Sequence, residues 1–185
     1  LSNMTYGLPI LEKYGMNATI FVIGCSVGKD TYKDTGVAMR PHFSLEQARE
    51  MMDTGLITIG SHGYDFHEVE GRDPDPIRQG ILRREDETEE AYAAFLREDC
   101  RRQNELLRPI LGGDVDILAY PYGAHETLSE ILLQEAGIYA TVTISPGINT
   151  IVKGIPQSLL CMNRFNIDES MTGEGLLALL ENSPP

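Results

Sequence analysis

The sequence predicts an α/β fold of parallel strands, and three observations carry that expectation. Short apolar runs rich in β-branched and aromatic residues occupy 18–23, 56–60 and 116–120. Stretches with helical periodicity precede or separate them, at 2–14, from Ser44 to Gly55, and from Thr88 to Leu111. Strands alternating with helices of that length imply right-handed crossovers between parallel neighbours, in a closed barrel or an open sheet. Either way, functional loops leave the C-terminal ends of the strands. A chain of 185 residues with 42% hydrophobic content suits one domain around one core.

Each element has its own signal. Tyr6, Ile10, Leu11 and Tyr14 fall on one helical face, and Gly15 stands where a left-handed C-terminal cap belongs. The run 18–23 reads as a strand buried on both sides, closed by Gly24. Ser44-Leu45-Glu46-Gln47 has the form of a capping box, opening a second helix that runs to Gly55. The strand at 56–60 leads into the loop Ser61-His62-Gly63-Tyr64-Asp65-Phe66-His67. Residues 69–87 are charged, rich in Pro, Gly and Arg, and aperiodic, so they read as a surface excursion. Tyr92, Phe95, Leu96, Leu106, Leu107 and Ile110 recur at helical spacing in the third helix, which Gly112-Gly113 ends. The strand at 116–120 turns at Pro121-Tyr122-Gly123 into a helix ending at Gly137. A strand at 139–143, a last strand near 161–167 and a final helix at 173–180 complete the order.

Bulk properties exclude several classes. A net charge of −13, with fifteen Lys and Arg forming no long run, argues against nucleic acid. No apolar stretch approaches the roughly 18 residues of a membrane span, and the opening residues lack signal-peptide character. Cys25, Cys100 and Cys161 are odd in number and widely spaced, which fits neither a disulfide framework nor a metal knuckle.

The residues with chemical potential lie after strands. His62 and His67, five apart in one loop, can hold a divalent metal as neutral imidazoles, or be loop histidines bonded to backbone or solvent. Asp65 between them is either an orienter of an imidazole or an ordinary turn residue. Pro121-Tyr122-Gly123 is first a turn, but a rigid turn at a rim also aims a backbone N–H at the oxyanion formed when a carbonyl is attacked. Arg164, in an otherwise apolar segment, calls for a buried carboxylate partner or an edge position facing solvent. His42 and His125 are expected to serve packing or surface roles.

Three segments in order, Leu8-Pro9-Ile10-Leu11-Glu12-Lys13-Tyr14-Gly15-Met16-Asn17-Ala18-Thr19-Ile20-Phe21-Val22, the histidine loop 61–67, and Ala119-Tyr120-Pro121-Tyr122-Gly123, resemble the polysaccharide deacetylases of the NodB-homology type, carbohydrate esterase family four. The branch similar to poly-N-acetylglucosamine deacetylases is nearest in pattern. The resemblance covers almost the whole chain and implies a distorted (β/α) barrel. Residues 1–185 would form one deacetylase domain, N-terminally incomplete because its first strand is missing.

The resemblance also implies a function: metal-dependent removal of N-acetyl groups from an N-acetylglucosamine-containing polysaccharide or oligosaccharide, with zinc the expected metal. The full-length protein would work outside the cell or in its envelope. His62 and His67 match the family's two histidine ligands, and Pro121 and Tyr122 the turn whose Tyr122 backbone N–H meets the oxyanion; the phenol carries no role in this reading. The family's Asp-Asp motif, source of a third ligand and the base, has no counterpart, so the fragment itself is expected to be inactive. Ala119 stands where many relatives have Arg, a role that Arg164 is a candidate to take, and no His follows His125 to act as general acid. Two alternatives stay open: a non-catalytic carbohydrate-binding relative, and a deacylase of a small N-acyl substrate.

Overall fold

The computed structural model describes residues 1–183. Four strands, β1 (Ala18–Val22), β2 (Ile57–Ser61), β3 (Ile117–Ala119) and β4 (Ala140–Val142), form one sheet in sequential order, every pair parallel. The order never reverses, so the sheet winds as a barrel wall does and lacks the switch point of a doubly wound sheet. Register places Val22 beside Ser61, and Ser61 beside Leu118, so the C-terminal ends of β1, β2 and β3 lie together. The two suspected loops therefore share one rim.

Among the described residues five α-helices connect or flank the strands: α1 (Leu8–Tyr14), α2 (Leu45–Asp53), α3 (Glu89–Leu111), α4 (Thr127–Glu135) and α5 (Gly173–Glu181). The capping box of α2 forms in both directions, Gln47 N–H donating to Ser44 Oγ and Ser44 N–H to Gln47 Oε1. Gly15 and Gly112 take the left-handed cap at the ends of α1 and α3. Tyr92, Leu96 and Leu107 of α3 enter the core against Leu118, Tyr120 and Leu133.

Two expectations need correction. The apolar face assigned to α1 is largely wrong: Tyr6, Ile10 and Tyr14 are exposed, and the side packed on the core is Met4, Leu8 and Leu11. Residues 3–7 form a wide π-helical turn before α1, which rotates the faces relative to a continuous α-helix. The strand near 161–167 shrinks to a single parallel bridge of Met162 to Val142. Met162 N–H donates to Thr141 O, Thr143 N–H to Met162 O, and Arg164 N–H to Ser145 O, which extends the ladder without a regular strand.

The excursion at 69–87 is tied down more firmly than its composition suggests. Arg78, 4% exposed, forms a two-pronged ion pair with Glu87 and lies 3.9 Å over the Phe95 ring. Ile81 is fully buried, and its carbonyl accepts the Tyr92 phenol proton at 2.6 Å. No helix among the described residues is long and apolar enough to cross a membrane.

Candidate active site

The histidine loop begins where β2 ends. His62 N–H donates to Val22 O at 2.8 Å, which continues the β1–β2 ladder one residue past the strand. Gly63 then turns the chain at φ 80°, and a Cβ there would lie 2.3 Å from the ring of the fully buried Phe66. Gly24 N–H donates to Gly63 O and Cys25 N–H to Tyr64 O, so the loop continues the β1 side of the rim as a backbone-paired segment.

Hydrogen bonding assigns the tautomers of both histidines. His62 Nδ1 is 2.7 Å from Ala119 O; a carbonyl only accepts, so Nδ1 carries the proton and Nε2 keeps its lone pair. The Tyr122 phenol donates to Glu68 O at 2.7 Å, so its oxygen accepts from His67 Nδ1 at 3.1 Å, leaving His67 Nε2 bare as well. The two imidazole centroids are 5.6 Å apart. Burial pushes the His62 pKa down to about 4, with the charges of His67 and Arg164 adding to the effect. Burial also lowers His67. Both rings are therefore neutral at neutral pH, the state in which imidazole binds a metal.

The turn after β3 faces this pair. Tyr122 adopts φ 59°, ψ 7°, a left-handed conformation uncommon outside glycine, and is 45% exposed with its ring 4.4 Å from that of His67. Among the described residues its backbone N–H has no acceptor. Gly123 follows at φ 68°, where a Cβ would meet Ile144 at 2.4 Å. Behind the turn, the Tyr120 phenol and Thr141 hydroxyl both donate to Glu130, and the Tyr120 ring stacks 4.9 Å from His125. His125 is an exposed residue stacked on that ring, within the packing or surface roles expected of it. His42 and His62 line a cavity of about 280 Å³ beside β1.

The expectations for the other candidates are met unevenly. Pro121 is buried in the turn. Asp65, either an orienter of an imidazole or a turn residue from its sequence, pairs with Lys33 Nζ at 2.8 Å and accepts from Cys25 Sγ; the group that touches His67 is the Tyr122 phenol, to which the sequence assigns no role. Among the described residues Arg164 pairs with no carboxylate: it is an exposed residue whose Nε donates to Thr143 O at 2.8 Å and whose charge reaches His62. Cys25, Cys100 and Cys161 are free thiols, and burial raises the first two to about 12. No group of three His, Cys, Asp or Glu side chains able to hold a metal exists among the described residues.

Sequence reasoning missed Asp99 and Gln103. The Asp99 carboxylate accepts the N–H groups of Tyr64 and Asp65, and Gln103 Nε2 donates to Val22 O, the carbonyl that also receives His62 N–H. A signal existed: Tyr92, Leu96, Asp99, Gln103 and Leu107 follow one another at helical spacing, two polar residues inside the buried stripe of α3.

Residues 2–141 match the family model described as polysaccharide deacetylase. A protein of Bacillus subtilis (strain 168) described as a polysaccharide deacetylase, YxkH, is 27% identical over 174 residues, covering 94% of this chain and 50% of its own length. The poly-β-1,6-N-acetyl-D-glucosamine N-deacetylase of Staphylococcus aureus is 24% identical over 130 residues, 70% of this chain and 39% of that protein. This chain spans half or less of the length of these relatives. A solved de-N-acetylase structure from Aggregatibacter actinomycetemcomitans superposes with a TM-score of 0.77 at 18% identity, over 96% of this chain and 70% of that one, so the fold is shared. With its sequential parallel sheet, its paired histidines after β2 and a family model matched over most of its length, the chain belongs to the polysaccharide deacetylase family.

Proposed function

We propose that this chain carries the metal-binding histidines of a hydrolase that removes N-acetyl groups from an N-acetylglucosamine-containing polysaccharide, in the cell envelope or outside the cell. The observation that carries this reading is the histidine pair: two neutral rings, each with Nδ1 held and Nε2 free, beside a turn with an unpartnered N–H. The donor chemistry fits a divalent cation, zinc in the first instance, held by His62 and His67. Such a cation, when bound, supplies Lewis-acid polarisation of the acetamide carbonyl and a water of lowered pKa.

The chain's own residues supply the rest of the reading. Ala119 O and the Tyr122 phenol fix the imidazole tautomers. Tyr122 N–H, presented by the Pro121 turn, donates to the oxyanion that develops as the carbonyl is attacked. Arg164 adds positive charge on the same side as His62 and takes the place of the Arg absent at Ala119. Asp65 balances Lys33, whose charge bears on His67.

One observation favours a second reading, a non-catalytic carbohydrate-binding relative: among the described residues no third metal-ligating side chain joins the two histidines. Calorimetric zinc titration of residues 1–185 tests the metal site. Binding is expected, weak because two imidazoles make an incomplete set, and lost in His62→Ala and in His67→Ala. Unchanged affinity in both variants removes them from the site. Acetate release from N-acetylglucosamine oligomers by the same chain is expected to stay at background, and robust metal-dependent release would show that another carboxylate completes it.

A further inference from the structure

Asp99 lies in the middle of α3 and is 5% exposed. Its oxygens face backbone amides: Tyr64 N–H donates to Oδ1 at 2.6 Å and Asp65 N–H to Oδ2 at 2.7 Å. Arg102, the nearby cation whose charge it feels, lies instead over the Tyr64 ring at 4.0 Å. A buried carboxylate held by amides alone is a poor choice for stability, because an apolar residue of similar volume would avoid desolvating a charge. Burial raises its pKa to about 7, in keeping with that cost.

What the carboxylate offers in return is geometric. Tyr64 and Asp65 lie between His62 and His67, so the grip falls midway along the loop. Two consecutive N–H groups need two acceptor atoms on one side chain, which Asp supplies and Asn does not. The loop's other anchors surround this point: Gly63 O and Tyr64 O accept from Gly24 and Cys25, and Asp65 pairs with Lys33. One turn further along α3, Gln103 ties down Val22 O, the carbonyl that receives His62 N–H. The same face of α3 therefore fixes both the start and the middle of the histidine loop.

We propose that Asp99 is a positioning residue: by clamping the amides of Tyr64 and Asp65 it sets the separation and aim of the His62 and His67 imidazoles. The proposal rests on the reading of those histidines as metal ligands. Asp99→Asn keeps the shape, retains one acceptor and turns an N–H₂ toward the other amide. Zinc affinity, measured by competition with a chelator on residues 1–185, is expected to fall about tenfold, the lower end of what loss of an outer partner costs a metal site. Gln47→Ala, which removes half of the α2 capping box, is the control for stability alone and leaves affinity unmoved.

If folded Asp99→Asn binds zinc as the parent does while His62→Ala does not, the positioning role is overturned and the metal reading stands. If His62→Ala also binds as the parent does, the metal reading fails, and this proposal with it. Should Asp99→Asn not fold by circular dichroism, Asp99→Glu, which keeps both acceptor oxygens on a longer stem, takes its place with the same expected loss. Parent-like affinity in that variant, or failure of both variants to fold, assigns Asp99 to the core and overturns the proposal.

Discussion

The histidine loop and the C-terminal third of the chain are both irregular backbone following a strand, yet they are held in opposite ways. In the histidine loop each backbone N–H from His62 to Asp65 donates, to Val22 O, Ser61 Oγ or the Asp99 carboxylate, the Gly63 and Tyr64 carbonyls accept from Gly24 and Cys25, and Phe66 is fully buried. From Ile144 onward the chain leaves Ile151, Val152, Ile155, Ile167, Leu177 and Leu180 exposed, and α5 buries none of its residues. Constraint is concentrated where strand ends, α3 and the loop meet. Apolar residues alone do not create it; acceptors and donors from three elements converging on one short loop do.

The largest expected effect comes from breaking that convergence at its tightest point. Gly63→Ala places a Cβ 2.3 Å from the Phe66 ring, at a φ of 80° that disfavours side chains. Left-handed strain and displacement of a packed aromatic together cost roughly 2 to 4 kcal/mol. Chemical denaturation of the variant reads this directly, and zinc affinity is expected to fall with it. A loss below about 0.5 kcal/mol, the ordinary range of a surface substitution, would show that the loop yields as readily as the C-terminal segment.

The sequence made the strands, the caps and the shared rim of the two loops legible for physical reasons that act locally. Ser44 and Gln47 satisfy each other's backbone, Gly15 and Gly112 supply left-handed caps, and β-branched runs mark strands whatever surrounds them. The errors came where tertiary context decides. A wide turn at Asn3–Gly7 rotated the buried face of α1 away from Tyr6 and Ile10, and no local pattern announces such a turn. The segment after β4 has a strand's composition but forms a single bridge, at Met162, with Cys161 just before it at φ 51°, outside the extended region. Within the site, His62 and His67 were visible as residue types, whereas the contact of Tyr122 with His67 spans 55 positions and depends on a backbone angle that tyrosine rarely adopts.

That contact supplies a smaller perturbation of the constrained region. Tyr122→Phe removes the donor to Glu68 O and the acceptor of His67 Nδ1–H while keeping the ring. The hydrogen bonds are partly exposed, so stability is expected to fall by about 1 kcal/mol or less. Zinc affinity falls several-fold, because the His67 tautomer is no longer fixed. Tyr122→Gly loses the same bonds but relieves the φ of 59°, so it is expected to match or exceed Tyr122→Phe in stability. Proline is no test of the backbone N–H at this position, since its ring fixes φ near −65° and would rebuild the turn. If Tyr122→Phe binds zinc as the parent does, the phenol has no part in holding His67.

The smallest effect is expected at the other pole of the comparison. Leu177 is 61% exposed on α5, whose helix is set by the Thr172 side chain accepting from Gly175 N–H and not by burial. Leu177→Gln keeps the length and helix propensity of the side chain and gives up little buried apolar area, so its effect on the unfolding free energy should stay within about 0.5 kcal/mol. Leu96→Ala, at a position 1% exposed in α3, provides the scale, with an expected loss of about 2 to 5 kcal/mol. Paired denaturant titrations measure both. A ratio near one would mean that Leu177 gains its stability from a surface covering α5, and the contrast between the clamped loop and the open C-terminal third would then reflect missing contacts and not weaker construction. A small effect at Leu177 beside a large one at Leu96 places the difference in the chain itself: burial and convergent hydrogen bonds hold one region, local helix capping the other.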